Sequence, residues 1–181
     1  SFHAWYAHRV GHEVTLWGRA DSRHLAQLRE TRTNEFLTLP VEIRLSDDLA
    51  EAIRMAEIVI ISIHAQALRS FLCDLQASGL GEELAQRCMI LCMKGLELGT
   101  GKRLTTVVHE ELGTAVQPVV WVGPGHVQDF VRGIPNCMVL AGENRNVLHE
   151  LVDALGSPLI RFYYGEDLLG TEVGAAAKNV V

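Results

Sequence analysis

The sequence predicts an α/β fold with a doubly wound, mostly parallel sheet, on three observations. Short apolar runs alternate with longer amphipathic ones over the whole length. Two of the runs, "EIVIISI" (57–63) and "RCMILCM" (87–93), are unbroken apolar, as in strands covered on both faces. No internal repeat or low-complexity linker interrupts the series.

In order, "HEVTLWG" (12–18) reads as a strand and "DSRHLAQLRE" (21–30) as a helix with Asp21 or Ser22 available as its N-cap. "TRTNEFLTLPVEIRL" (31–45) reads as a loop or a short irregular strand. "SDDLAEAIRMA" (46–56) reads as a helix capped by Ser46, with Leu49, Ile53 and Ala56 as its apolar stripe. The strand 57–63 is followed by helix 64–76, the strand 87–93 by helix 101–113, which ends at Gly113. "PVVWVG" (118–123) repeats the strand pattern ahead of a short helix, 126–133. The segments 136–142, 145–156 and 159–165 and a terminal helix from about Asp167 complete the alternation.

Composition narrows the function. A net charge of −6 argues against a nucleic-acid binder with a broad basic face. With 48% hydrophobic residues the chain can bury a core. The four cysteines, Cys73, Cys88, Cys92 and Cys137, are scattered without a CxxC pair, which predicts reduced thiols serving as small core residues in a cytoplasmic protein. No apolar stretch approaches the roughly 20 residues needed to span a bilayer, and the opening "SFHAWYAHRVGHEV" lacks a signal-peptide pattern. "VHEEL" (108–112) lacks the second histidine of a zinc helix, and GxSxG and GxxxxGK[ST] are both missing.

In a doubly wound sheet, ligands bind beyond the carboxyl ends of the strands, so the residues after each strand are the candidates. Arg19 follows the 12–18 strand, either to receive a 2′-phosphate or as a solvated arginine. His64 follows the 57–63 strand, as a ligand contact or as a polar residue opening a helix. Lys94-Gly95 follows the 87–93 strand, suited to an anion or to a lysine snorkelling over the sheet end. "GPGHV" (123–127) brings amides toward a ligand or makes a plain tight turn. Near the end, Thr171, Gly174, Ala175 and Lys178 share one helical face. Thr171, Gly174 and Ala175 leave room beside the lysine either for close helix packing or for a small substrate. If Lys94 and Lys178 met, each ammonium would disfavour the other's charge, and one would become a usable proton donor or acceptor near neutrality.

Four segments, "GHEVTLWGR", "CMKGLELGTGKRL", "VGPGHVQDFVRGIPNCMVLA" and "LGTEVGAAAKNVV", in this order and at these intervals, resemble NAD(P)-dependent glycerol-3-phosphate dehydrogenase, from about Ala4 to Val181. The resemblance implies a Rossmann-type nucleotide-binding domain over 1–169 and, from 170, the start of a helical domain that completes the substrate pocket and the homodimer. It implies NADP or NAD as cofactor, a small phosphorylated substrate (dihydroxyacetone phosphate, interconverted with sn-glycerol 3-phosphate), a role feeding glycerophospholipid synthesis, and no membrane insertion.

It also implies residue roles. Lys178 would be the catalytic lysine, exchanging the proton of the ketone oxygen, and Lys94 would hold substrate near the nicotinamide. Gly123 and Gly125 would lie along cofactor and substrate, with Val127 beside the cofactor and Arg19 at its adenosine end. Ser1 and Phe2 would be the exit of the phosphate loop, and Asn179 would orient the site. The departures are specific. The first strand and the glycine-rich loop are missing, and the distance from Ser1 to Gly11 is a few residues short. Gly125 stands where the family has serine or threonine, and His126 replaces an aromatic. Related β-hydroxyacid or ketopantoate reductases, or a nucleotide-binding homologue without catalysis, are the rival expectations.

Overall fold

A computed structural model describes residues 1–178 of the chain. Its elements are α1 (Phe2–Arg9), β1 (Thr15–Trp17), α2 (Arg23–Thr31), β2 (Arg44–Ser46), α3 (Leu49–Met55), β3 (Ile58–Ile61), α4 (Leu68–Ala77), α5 (Gly81–Ala85), β4 (Cys88–Leu91), α6 (Leu104–Leu112), β5 (Val119–Val122), α7 (Val127–Val131), β6 (Asn136–Ala141), α8 (Arg145–Leu155), β7 (Ile160–Gly165) and α9 (Leu168–Ala177).

The sheet is mostly parallel, as predicted, but it comes in two parts. β1 and β2 pair in parallel by themselves, and the other five strands run in the order β3-β4-β5-β6-β7 with β6 antiparallel to β5. In the usual doubly wound order 3-2-1-4-5-6, a strand preceding β1 in sequence would lie between β1 and β3. The ladder is interrupted there. α1 bridges the interruption: Phe2 and Trp5 pack against both the core under β4–β7 and the cluster of Leu28, Leu37, Leu39 and Ile43 beside β1 and β2.

The interruption also corrects one expectation. The 57–63 run was predicted to be covered on both faces, yet Ile58, Val59 and Ile60 are only partly buried because β3 is an edge. β4 and β5, inside the sheet, are the doubly covered strands: Met89, Ile90, Leu91 and all of Val119–Val122 are buried.

Three local readings change as well. The helix predicted from Ser46 begins at Leu49. Asp48 caps it by accepting from the Glu51 amide at 2.9 Å, while Ser46 closes β2. The 64–76 helix opens with a 3₁₀ turn over Ala65–Ala67. Cys73 and Cys137 are exposed and Cys88 and Cys92 half-buried, so the four free thiols are not simply core residues. Among the described residues, no helix is long and apolar enough to cross a membrane.

Candidate active site

β4 and β5 are neighbours, so the segments that leave their carboxyl ends lie side by side. Lys94 leaves β4 and donates from Nζ to the Gly123 carbonyl, just past β5, at 3.1 Å. Gly95 then holds φ near 128°, a region that side-chain-bearing residues rarely adopt. The loop is held from outside too. Gln66 donates to the Leu96 carbonyl and accepts from the Leu98 amide, both at 2.8 Å. Glu97 pairs with Arg69 at 2.6 Å, and Arg69 also reaches Glu110 and Glu111. This holds the Glu97 carboxyl down to about 2, chiefly through its hydrogen bond from Arg69.

Lys178 arrives from α9, where its amide donates to the Gly174 carbonyl at 3.1 Å. Its ammonium lies close enough to Lys94 for direct interaction, and the Lys94 pKa falls below the ordinary lysine value, first through partial burial and then through the Lys178 charge. The two lysines therefore meet, and the lowered one is Lys94. The face that carries Lys178 divides its labour. Ala175 packs against the cluster of Val120, Val122, Ala141 and Leu168, whereas a β-carbon on Gly174 would meet nothing within 4 Å.

A cleft of about 330 Å³ opens beside Lys94, and Ser1, Phe2, Lys94, Gly123, Gly125 and Val127 all line it. Ser1 occupies the N-cap of α1 and Phe2 its first turn. Gly123 is required by a close approach: a β-carbon there would come within 3.1 Å of the Met138 Cα and 3.2 Å of the Cys137 carbonyl. At Gly125 the obstacle is Phe130, whose ring would be 2.2 Å from a β-carbon. α7, which follows this turn, has five residues, with Asp129 in its first turn.

Arg19 does not line the cleft. It is exposed, with Asp21 at 3.8 Å as its nearest carboxylate. His64 is exposed at the start of the 3₁₀ turn and makes no capping bond. Asn179 lies outside the described residues.

Sequence reasoning passed over three residues of this region. His3 and Trp121 line the cleft and stack edge to face at 5.0 Å. Burial pushes the His3 imidazole down to about 4, so it is neutral at pH 7. Glu172 is buried at 6% exposure on α9. A histidine in a polar-looking opening and a lone carboxylate in a helix carry no spacing signal that could have singled them out.

The sheet and the cleft beyond its strand ends define a nucleotide-binding α/β domain. Residues 4–148 match the family model for the NAD-dependent glycerol-3-phosphate dehydrogenase N-terminus, and the chain belongs to that family. It is 36% identical to a glycerol-3-phosphate dehydrogenase [NAD(P)+] of Bradyrhizobium diazoefficiens, over 98% of this chain and 53% of the relative. A Thermoanaerobacter protein of the same name is 34% identical over 97% of this chain and 52% of its own length. The chain spans about half the length of the curated relatives it matches. Among solved structures, Coxiella burnetii glycerol-3-phosphate dehydrogenase shares the fold with a TM-score of 0.85 at 23% identity, covering 98% of this chain and 54% of that one.

Proposed function

We propose that this chain is the nucleotide-binding part, residues 1–169, of an enzyme that interconverts dihydroxyacetone phosphate and sn-glycerol 3-phosphate with NAD(P)H, feeding glycerophospholipid synthesis. Residues from 170 onward open a helical domain that completes the pocket and forms the homodimer. Leu169 and Val173, exposed one turn apart on α9, support a further layer over that helix. The observation that carries the reading is the meeting of Lys178 with Lys94, which lines the cleft.

Part of the cofactor suits the residues present. The cleft lies at the low end of the volumes that small-ligand sites occupy, and it combines aromatic walls, Phe2 and Phe130, with the ammonium of Lys94. Ser1, Phe2, Lys94 and Val127 would hold NAD(P), with Arg19 at the adenosine end. When bound, the cofactor supplies the hydride.

The chain's own residues do the rest. Lys178 gives a proton to the ketone oxygen as negative charge grows there, and takes it back in the reverse direction. Lys94, tied to the Gly123 carbonyl, holds the substrate oxygen and stabilises the same charge. The lowered pKa belongs to Lys94, which makes its ammonium a stronger hydrogen-bond donor to the charge growing on the substrate oxygen.

The test is cofactor oxidation by the full protein with dihydroxyacetone phosphate, ketopantoate and small oxo acids compared. Preference for dihydroxyacetone phosphate, lost by about 10²–10⁴-fold in kcat on Lys178→Met, supports the proposal. Preference for ketopantoate replaces it with the related reductase. A folded full protein that fails to bind NADPH replaces it with a non-catalytic homologue.

A further inference from the structure

Glu172 is buried, and among the described residues every hydrogen bond that compensates it comes from one short segment. Arg103 Nη1 donates to its Oε2 at 2.9 Å, the Thr105 hydroxyl donates to Oε2 at 2.6 Å, and the Thr105 amide donates to Oε1 at 3.1 Å. The Thr105 amide is one of the first amides of α6, which have no acceptor within their own helix. Arg103 precedes α6 without making a side-chain cap of its own. A carboxylate from α9 therefore does the work of an N-cap for α6, favoured further by the positive end of that helix.

The position matters because of what lies at either end of the joint. α6 begins where the loop carrying Lys94 and Gly95 ends. On α9, Glu172, Ala175 and Lys178 descend at three-residue intervals, about 9 Å from first to last. Between the elements only a void of about 10 Å³ remains, lined by Lys94, Gly95, Glu172 and Ala175, with room for one water at most. Two like-charged lysines would not hold each other in place; something else must.

We propose that Glu172 is a positioning residue: by capping α6 through Thr105 and pairing with Arg103, it holds α9 where Lys178 stands alongside Lys94. The proposal rests on Lys94 and Lys178 being the reacting pair. A buried carboxylate with two cationic or polar partners and no slack fixes direction as well as distance. Removing one partner leaves the other charge buried and unpaired.

The test follows the Lys94 ammonium by NMR titration in the full protein, with kcat and KM measured on the same samples. Lys178→Met reports on the pair itself: the Lys94 midpoint rises toward the ordinary lysine value. In Glu172→Gln and in the milder Thr105→Val, α9 loosens, so the midpoint rises in the same direction and kcat falls at least tenfold with little change in the KM for cofactor. Glu172→Gln on top of Lys178→Met adds no further rise, since both act on one interaction.

A merely electrostatic role has the opposite sign, because deleting a negative charge near an ammonium lowers its midpoint. A folded Glu172→Gln protein whose Lys94 midpoint stays put or falls overturns the proposal. If that variant does not fold, Thr105→Val decides by the same criterion. A Lys178→Met protein with an unmoved Lys94 midpoint refutes the lysine pair instead.

Discussion

Phe130 occupies the space that any side chain at Gly125 would need. A β-carbon there would stand 2.2 Å from the ring Cζ and 2.3 Å from Cε2. Phe130 is itself buried and stacks on Phe2 at 5.3 Å, so the ring has little freedom to retreat. The resemblance puts a serine or threonine hydroxyl at position 125. Here an aromatic wall takes that volume, and the cleft draws its polar side chains from elsewhere, Ser1, His3, Ser62 and Lys94 among them.

The first prediction follows from that pair. Gly125→Ser overpacks the turn and destabilises the fold by about 1–3 kcal/mol, read as a lower denaturant midpoint. Phe130→Ala alone also destabilises, by leaving a cavity. The double variant is more stable than the two separate losses predict, because the new side chain enters the space the ring leaves. Simple additivity of the two losses would show that the clash is relieved some other way.

What was legible in the sequence follows from how local each signal is. β4 and β5 stand out as runs because each residue's burial is written in its own side chain, and Lys94, Gly123 and Gly125 could be placed because they follow those runs directly. α1 escaped because its buried face is narrow: Tyr6 and Ala7 are buried among His3, His8 and Arg9, with no clean stripe. Ser46 looked like a cap because serine suits that role, but Asp48 takes it, since pairing of β2 with β1 keeps Ser46 in the strand. The capping of α6 by Glu172 and the match of Gly125 to Phe130 are tertiary. The first joins residues 67 apart in sequence, and the second depends on which way a ring turns. Neither leaves a trace in periodicity.

His3 makes the fold sensitive to mild acid. Its imidazole titrates at about 4, pushed down chiefly by burial, against 6.5 unperturbed. The unfolded chain therefore takes up this proton before the folded one does. The stabilisation is complete above pH 6.5 and is lost as pH falls toward 4, by at most about 3 kcal/mol at 1.36 kcal/mol per unit. His3→Gln flattens that part of the profile. Urea midpoints at pH 7 and pH 5 for both proteins check it, and equal slopes would mean that His3 is solvated.

Tyr6 anchors α1, which carries Ser1 and Phe2 into the cleft. Its buried hydroxyl donates to the Leu155 carbonyl at 2.5 Å and meets the Ser157 hydroxyl at 2.8 Å, tying α1 to the end of α8. Tyr6→Phe leaves the Leu155 carbonyl without that donor and costs about 1–3 kcal/mol. Because the anchor also sets where Phe2 stands, the variant binds NAD(P)H more weakly than wild type under conditions where both are fully folded. Unchanged cofactor affinity in a destabilised variant would confine Tyr6 to the core.

Arg19 tests the cofactor assignment at its far end. The side chain is 81% exposed, and its contact with Asp21, at 3.8 Å between exposed groups, is too weak to restrain it. An arginine so little committed is free to swing onto a 2′-phosphate, where planar, two-pronged donation suits phosphate oxygens. A charge-assisted hydrogen bond of this kind contributes about 1.5–3 kcal/mol, so Arg19→Ala raises the Kd for NADPH by roughly 10- to 150-fold. NADH has no 2′-phosphate, and its Kd changes less than twofold. Fluorescence titration of the full protein with each cofactor separates the cases. Equal weakening of both would assign Arg19 to the adenine or ribose, and no weakening of either would return it to the solvent.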